Sequence, residues 1–123
     1  MMGGRKMAFI FVGLGGSAGA ILRYAISLIP YKGEFPVLTL ITNFLGALLI
    51  GYVVGTVAKK GMSQNMMLFL KTGLCGGFTT FSTFSLEAYQ LLQNHHYVYG
   101  VSYVILSVGL CIAGVAIGML VGD

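Results

Sequence analysis

Apolar stretches at residues 7–29, 37–58, 66–92 and 97–121 alternate with short polar breaks. Each exceeds the roughly 20 residues that a helix needs to cross a hydrocarbon core about 30 Å thick. The breaks carry helix-ending chemistry. Pro30 and Pro36 bound a turn containing Lys32 and Glu34, while Lys59, Lys60 and Gly61 set cations and a glycine at a helix C-terminus. Residues 93–97 form a further polar turn, and Ser63 can cap the third stretch. The pattern predicts an all-α integral membrane protein, one domain over residues 1–123 with four transmembrane helices and both termini on one side. A signal peptide is the rival reading of the first stretch, with Arg5-Lys6 as its charged start and residues 15–20 as its cleavage site. Apolar sequence resumes immediately after Ala20, so the stretch reads as a retained helix.

Small residues recur at four-residue spacing: Gly15 and Gly19, then Ala47, Gly51 and Gly55, then Gly114 and Gly118. Such stripes let helix backbones approach closely in lipid. Residues 72–85 differ. They read T-G-L-C-G-G-F-T-T-F-S-T-F-S, with Gly73, Gly76 and Gly77 among hydroxyls at Thr72, Thr79, Thr80, Ser82, Thr83 and Ser85. Glycine weakens a helix interior, and backbone groups freed in hydrocarbon must find protein partners or line a cavity. The third helix is therefore expected to break over residues 76–79, with Gly76 and Gly77 letting the backbone leave the helix. At about 1.5 Å per residue that segment lies roughly 15–20 Å into the span, at the midplane. Phe81, Phe84, Asn43 and Tyr103 fall together in the half nearer residues 30–36. Thr39 shares a face with Asn43, as Ser107 does with Tyr103. Arg23 and Glu87 come near the edge of that side, where pairing would offset a costly charge. Snorkelling to water and attraction of anions are the other readings of Arg23.

Composition narrows the chemistry. The chain is 57% hydrophobic and 8% charged, so its solvent is lipid. Its net charge of +4 rests largely on Arg5-Lys6 and Lys59-Lys60, pairs that flank apolar runs. They read as membrane-edge anchors, not as a nucleic-acid surface. Cys75 and Cys111 lie in apolar runs and behave as small hydrophobes. His95 and His96 are adjacent, and on a helix they would diverge instead of chelating one ion. No carboxylate pair, Cys-His pairing, zinc spacing or phosphate loop is present, which argues against an enzyme. The groups at the shared depth are donors and phenyl rings. A ring is positive at its edge, so an anion can lie against it. Ordinary packing is the plain alternative for a Phe-x-x-Phe pair, but hydroxyls interleave with Phe81 and Phe84. Donors and ring edges without a fixed cation suit a small, strongly hydrated anion that must also be released quickly.

The run G-x-C-G-G-x-T-T-F-S-T-F-S at residues 73–85 resembles the signature of the Fluc (CrcB) fluoride channels. G-G-x-x-G-A-x-x-R-Y at residues 15–24 and T-L-x-x-N-x-x-G at residues 39–46 extend the likeness along the chain. The resemblance implies an antiparallel, dual-topology homodimer in a bacterial-type cell membrane, with two passive fluoride pores and a role in fluoride resistance. It implies that Phe81 and Phe84 face fluoride with Asn43 beside them, and that Ser82, Thr83, Tyr103 and Ser107 form a polar track. Arg23 matches a vestibule arginine and Glu87 a third-span carboxylate. The carbonyls of Gly76 and Thr79 from both subunits would hold a structural sodium ion (Na+) on the dimer axis. Charge pulls the other way on topology: Arg5, Lys6, Lys59, Lys60 and Lys71 face the terminal side, against Arg23 and Lys32 opposite. That bias favours termini in the cytoplasm. Two further classes stand beside the channel. A small multidrug antiporter needs a first-span carboxylate, which residues 7–29 lack. A non-transporting assembly subunit would use the rings and hydroxyls only for packing.

Overall fold

The computed structural model describes residues 2–123, and every regular element among them is helical. Helix α1 spans Met2–Ser27, α2 spans Val37–Lys60 and α5 spans Tyr97–Gly122. Each of these is long and apolar enough to cross a membrane. The remaining crossing is made in two pieces, α3 over residues 64–78 and α4 over Phe81–Gln93. Between them Thr79 (φ −83°, ψ 155°) and Thr80 (φ −148°, ψ 112°) are extended.

The break thus falls at the threonines, not at the glycines. Gly76 keeps helical angles (φ −63°, ψ −39°) and Gly76–Phe78 completes a last α-helical turn. β-Branched threonine accepts extended backbone readily, whereas Gly73 and Gly77 serve close approach to α1. A Cβ on Gly77 would collide with the Gly16 carbonyl, and one on Gly19 with the Leu74 carbonyl. One further feature is absent from the sequence pattern: Leu68–Cys75 is wound as a wider π-helix. Such segments are rare and concentrate at functional places.

The break lets one crossing change partners. α3 lies along α1, while α4 turns onto α5. α2 pairs with α5 as extensively as α1 does with α3, along the small-residue stripes. There a Cβ on Gly51 would meet the Val115 carbonyl, and one on Gly118 the Leu48 carbonyl and the Tyr52 N–H. In lipid this intimacy supplies dispersion contacts that apolar tails cannot match at a rough helix surface. Large apolar side chains such as Phe9, Val98 and Leu120 face outward, as a lipid-solvated fold requires.

A compact core gathers at one end, where Phe84, Ala88, Leu91 and Tyr103 are buried under Phe35 and Leu40. The Tyr103 ring meets Phe35 edge-on at 5.6 Å and lies 5.1 Å from Phe84. At the same end His96 Nε2 lies 3.2 Å from Glu34 Oε2, tying the α4–α5 turn to the loop before α2. His95 makes that turn with a positive φ of 64°.

Candidate functional site

The interrupted crossing leaves backbone groups that a continuous helix would pair, and one side chain takes up two of them. Asn43 on α2 donates from Nδ2 to the Thr80 carbonyl at 3.2 Å. Its Oδ1 accepts from the Thr80 N–H at 2.8 Å. A carboxamide carries the same donor and acceptor as a peptide, so it can replace the missing helical turn. The Thr79 N–H and hydroxyl both donate to the Cys75 carbonyl, at 3.0 and 2.8 Å. Thr80 Oγ1 accepts from the Thr83 N–H at 3.1 Å and so caps α4.

These diversions free two particular carbonyls. In an uninterrupted helix the Thr80 N–H would bond to the Gly76 carbonyl, and the Thr83 N–H to the Thr79 carbonyl. Here the first donor goes to Asn43 and the second to the Thr80 hydroxyl. The carbonyl between them in sequence order, that of Gly77, accepts from Arg23 Nε at 3.1 Å. A cation is well placed at this negative end of α3. On the other side of the break, α4 begins with N–H groups that have no helical acceptor, a positive end. The break therefore presents opposite polarities within two residues of chain.

A groove of about 460 Å³ opens beside it. Asn43, Gly76, Thr79, Phe81, Phe84 and Ser107 all line this groove. The Phe81 and Phe84 rings are 5.5 Å apart and inclined at 52°. They differ in setting: Phe84 is buried against Tyr103, whereas Phe81 is 79% exposed. Ser107 Oγ is buried and has no hydrogen-bond partner among the described residues. One Asn43 Nδ2 hydrogen also stays outside the Thr80 pairing, since the amide has two.

The remaining residues singled out by the sequence lie elsewhere. Thr83 and Arg23 line a separate cavity of about 210 Å³ on the α1 side, with Thr39, Thr42 and Thr80. Ser82 is exposed on α4. Tyr103 is fully buried, and its O–H donates to Glu87 Oε1 at 3.1 Å. Glu87 and Thr39 border a third hollow of about 390 Å³ at the membrane edge, beside Glu34 and His96. Arg23 and Glu87 do not pair. Packing of α1 on α3 turns Arg23 toward the end of α3, while Glu87 faces Tyr103 on α5.

Two participants were not singled out from sequence. Thr80 was one hydroxyl among several, yet its backbone is what Asn43 holds; its signal is a threonine three residues before Thr83, an N-cap spacing. Lys71 was counted only as a cation on the terminal side, and it lines the groove. No sequence signal orients it, because its face depends on the π-helical winding of Leu68–Cys75.

Spanning helices, a crossing broken into half-helices and a polar-to-aromatic groove at the break define a membrane protein of the ion-conducting type. The model of the CrcB-like protein, Camphor Resistance (CrcB) family matches residues 10–119, and the chain belongs to that family. It is 48% identical over 113 residues to a protein of Clostridium perfringens named fluoride-specific ion channel FluC, covering 89% of this chain and 88% of that one. A relative of the same name from Methanococcus vannielii is 38% identical over 116 residues, covering 94% and 95%. Another from Ruminiclostridium cellulolyticum is 44% identical over 115 residues, covering 90% and 88%.

Proposed function

We propose that the chain is a passive fluoride channel of the cell membrane, a transporter and not an enzyme. The observation that carries this is the groove. It joins an unpartnered buried hydroxyl, Ser107, to the Asn43 amide and two phenyl rings, with no carboxylate in its lining. Fluoride leaving water must recover strong, short-range donors, and the Ser107 O–H, the spare Asn43 N–H and the ring edges of Phe81 and Phe84 offer them. The positive end of α4 adds a favourable field at the same place. The relatives' shared name supports the choice of anion.

The working unit in this reading is an antiparallel homodimer with two pores. Gly76 is exposed, with open space where a Cβ would stand, although it sits at the middle of the broken crossing. A carbonyl there facing lipid would be costly, and a second copy related by an axis in the membrane plane would cover it. The freed carbonyls of Gly76 and Thr79, doubled by that axis, suit a sodium ion, since hard cations take oxygen ligands and the end of α3 is negative. A bound sodium would supply a fixed positive charge between the pores.

Liposome efflux measured with fluoride- and chloride-selective electrodes tests the reading. Fluoride efflux is expected without any imposed proton gradient, with chloride efflux far slower. Equal efflux of both ions, or efflux that depends on a proton gradient, overturns it. Complete replacement of sodium by a large organic cation is expected to lower flux and dimer stability, and unchanged behaviour removes the sodium site.

A further inference from the structure

Lys71 stands in the groove without a counter-charge. It is exposed on α3 and is the one charged residue in the groove's lining. Among the described residues no carboxylate lies within ion-pair distance of it, the single such contact being His96 with Glu34. A lysine inside an apolar crossing is expensive, and it is normally satisfied by water, a carboxylate or a transient anion. Cys75 and Gly76 line the same groove one turn further along, so the ammonium and the break share one continuous surface. Lys71 precedes Gly76 by five residues and Phe81 by ten along the chain. It is therefore on the terminal side, away from the rings, and its flexible stem can hold the ammonium in the water at the groove mouth.

We infer that Lys71 collects the permeant anion at the terminal-side mouth and passes it toward Ser107 and the rings. This rests on the fluoride-channel reading and adds a residue and a step to it. A compact cation in water holds fluoride loosely, unlike one buried at ring depth, so it speeds capture without trapping the ion. Ser107, 7% exposed and without a partner, is the next donor in the same groove. Steering of this kind acts on association and weakens with added salt, which separates it from a role in packing.

The test is fluoride flux through reconstituted wild-type, Lys71→Gln, Lys71→Met and Lys71→Arg proteins at low and saturating fluoride, each at low and high concentrations of an impermeant salt. Both neutral variants are expected to conduct several-fold to about tenfold more slowly at low fluoride and low salt. They should approach the wild-type rate at saturating fluoride, and their dependence on salt should flatten. Lys71→Arg should stay near wild type throughout. Neutral variants that match wild type in every condition overturn the inference. So does a loss that is equal at all fluoride concentrations, which would mark Lys71 as an anchor or as the partner of a carboxylate on a second copy. Phe81→Ile, measured alongside, separates the two levels. If it conducts like wild type, the groove is not the path and the placement of the pore on which the role of Lys71 rests fails; if it is silent while Lys71→Gln is normal, only the role of Lys71 fails.

Discussion

Asn43 and Thr80 meet as though they were paired strands: the carboxamide of one takes both the N–H and the carbonyl of the other, at 2.8 and 3.2 Å. One side chain thereby does what a helical turn or two waters would otherwise do in the middle of a membrane crossing. Because Thr80 is pinned, α3 can rest on α1 while α4 rests on α5. The same pairing draws the Thr80 N–H away from the Gly76 carbonyl. A helix break, a change of packing partner and a freed carbonyl therefore have one cause.

Removing that side chain is expected to be severe. Asn43→Leu strands a half-buried N–H and carbonyl, each worth about 1–3 kcal/mol when left unsatisfied. Asn43→Asp keeps the acceptor for the Thr80 N–H and loses the donor to its carbonyl. Thermal unfolding in detergent should rank wild type above Asn43→Asp and Asn43→Asp above Asn43→Leu. Fluoride flux should fall in both, since leucine removes the amide donor and a carboxylate in the groove repels the ion. Equal stability of all three proteins would show that water closes the break as well as Asn43 does.

The two phenylalanines should separate packing from conduction. Phe84 is buried in contact with Tyr103, so Phe84→Ile loses ring contacts and is expected to cost about 1–3 kcal/mol of stability. Phe81 is mostly exposed within the subunit, and Phe81→Ile should unfold at nearly the wild-type temperature. Both should slow fluoride flux by at least about tenfold, because neither retains a ring edge. Wild-type flux in both variants would reduce the pair to core and lipid-facing bulk.

The crossings and their small-residue stripes were legible because lipid demands long apolar runs and close packing without a hydrophobic drive. The stripe of Ala47, Gly51 and Gly55 does meet α5. Glycine content alone places the break a few residues early, because it carries no information on which backbone groups have a partner opposite. Gly73 and Gly77 are spoken for by α1, and only Thr80 has Asn43 opposite it. Depth along the axis placed Asn43, Phe81, Phe84 and Tyr103 at one level, but it carries no angular information. It could not separate Thr83 and Arg23 into a cavity on the α1 side, nor turn Glu87 toward Tyr103 and away from Arg23. Angles around a helix axis depend on local winding, and the π-helical Leu68–Cys75 shifts them without a sequence mark.

Tyr103 is fully buried and spends its hydroxyl on Glu87. Tyr103→Phe leaves the ring contacts with Phe35 and Phe84 in place and deprives the carboxylate of a donor. It should lower stability by about 1–3 kcal/mol with little change in helix packing. Glu87→Gln preserves an acceptor for the phenol and should lie closer to wild type. The unfolding midpoints of the two single variants and the double variant measure the coupling; additive losses would mean that the hydroxyl and the carboxylate act separately.

Glycine substitutions distinguish contacts inside one subunit from contacts between two. At Gly15 an added Cβ runs into the Phe69 carbonyl and the Leu74 N–H, backbone atoms that cannot move aside. Gly15→Ala should therefore destabilise the single subunit, parting α1 from α3. At Gly76 and Gly109 a Cβ meets nothing within 4 Å, and both residues are exposed. Considered as a lone subunit, Gly76→Ala and Gly109→Ala should each be neutral or slightly stabilising, since alanine gains up to about 1 kcal/mol over glycine in a helix. If two antiparallel copies meet at the midplane over the Gly76 carbonyl, the pair diverges: Gly76→Ala weakens dimerisation and Gly109→Ala does not. Dimer fraction against protein-to-detergent ratio, read by Förster transfer between labelled copies, makes the comparison. A Gly76→Ala protein that dimerises as tightly as wild type, and conducts as fast, would move the two-fold axis away from the break and take the sodium ion with it.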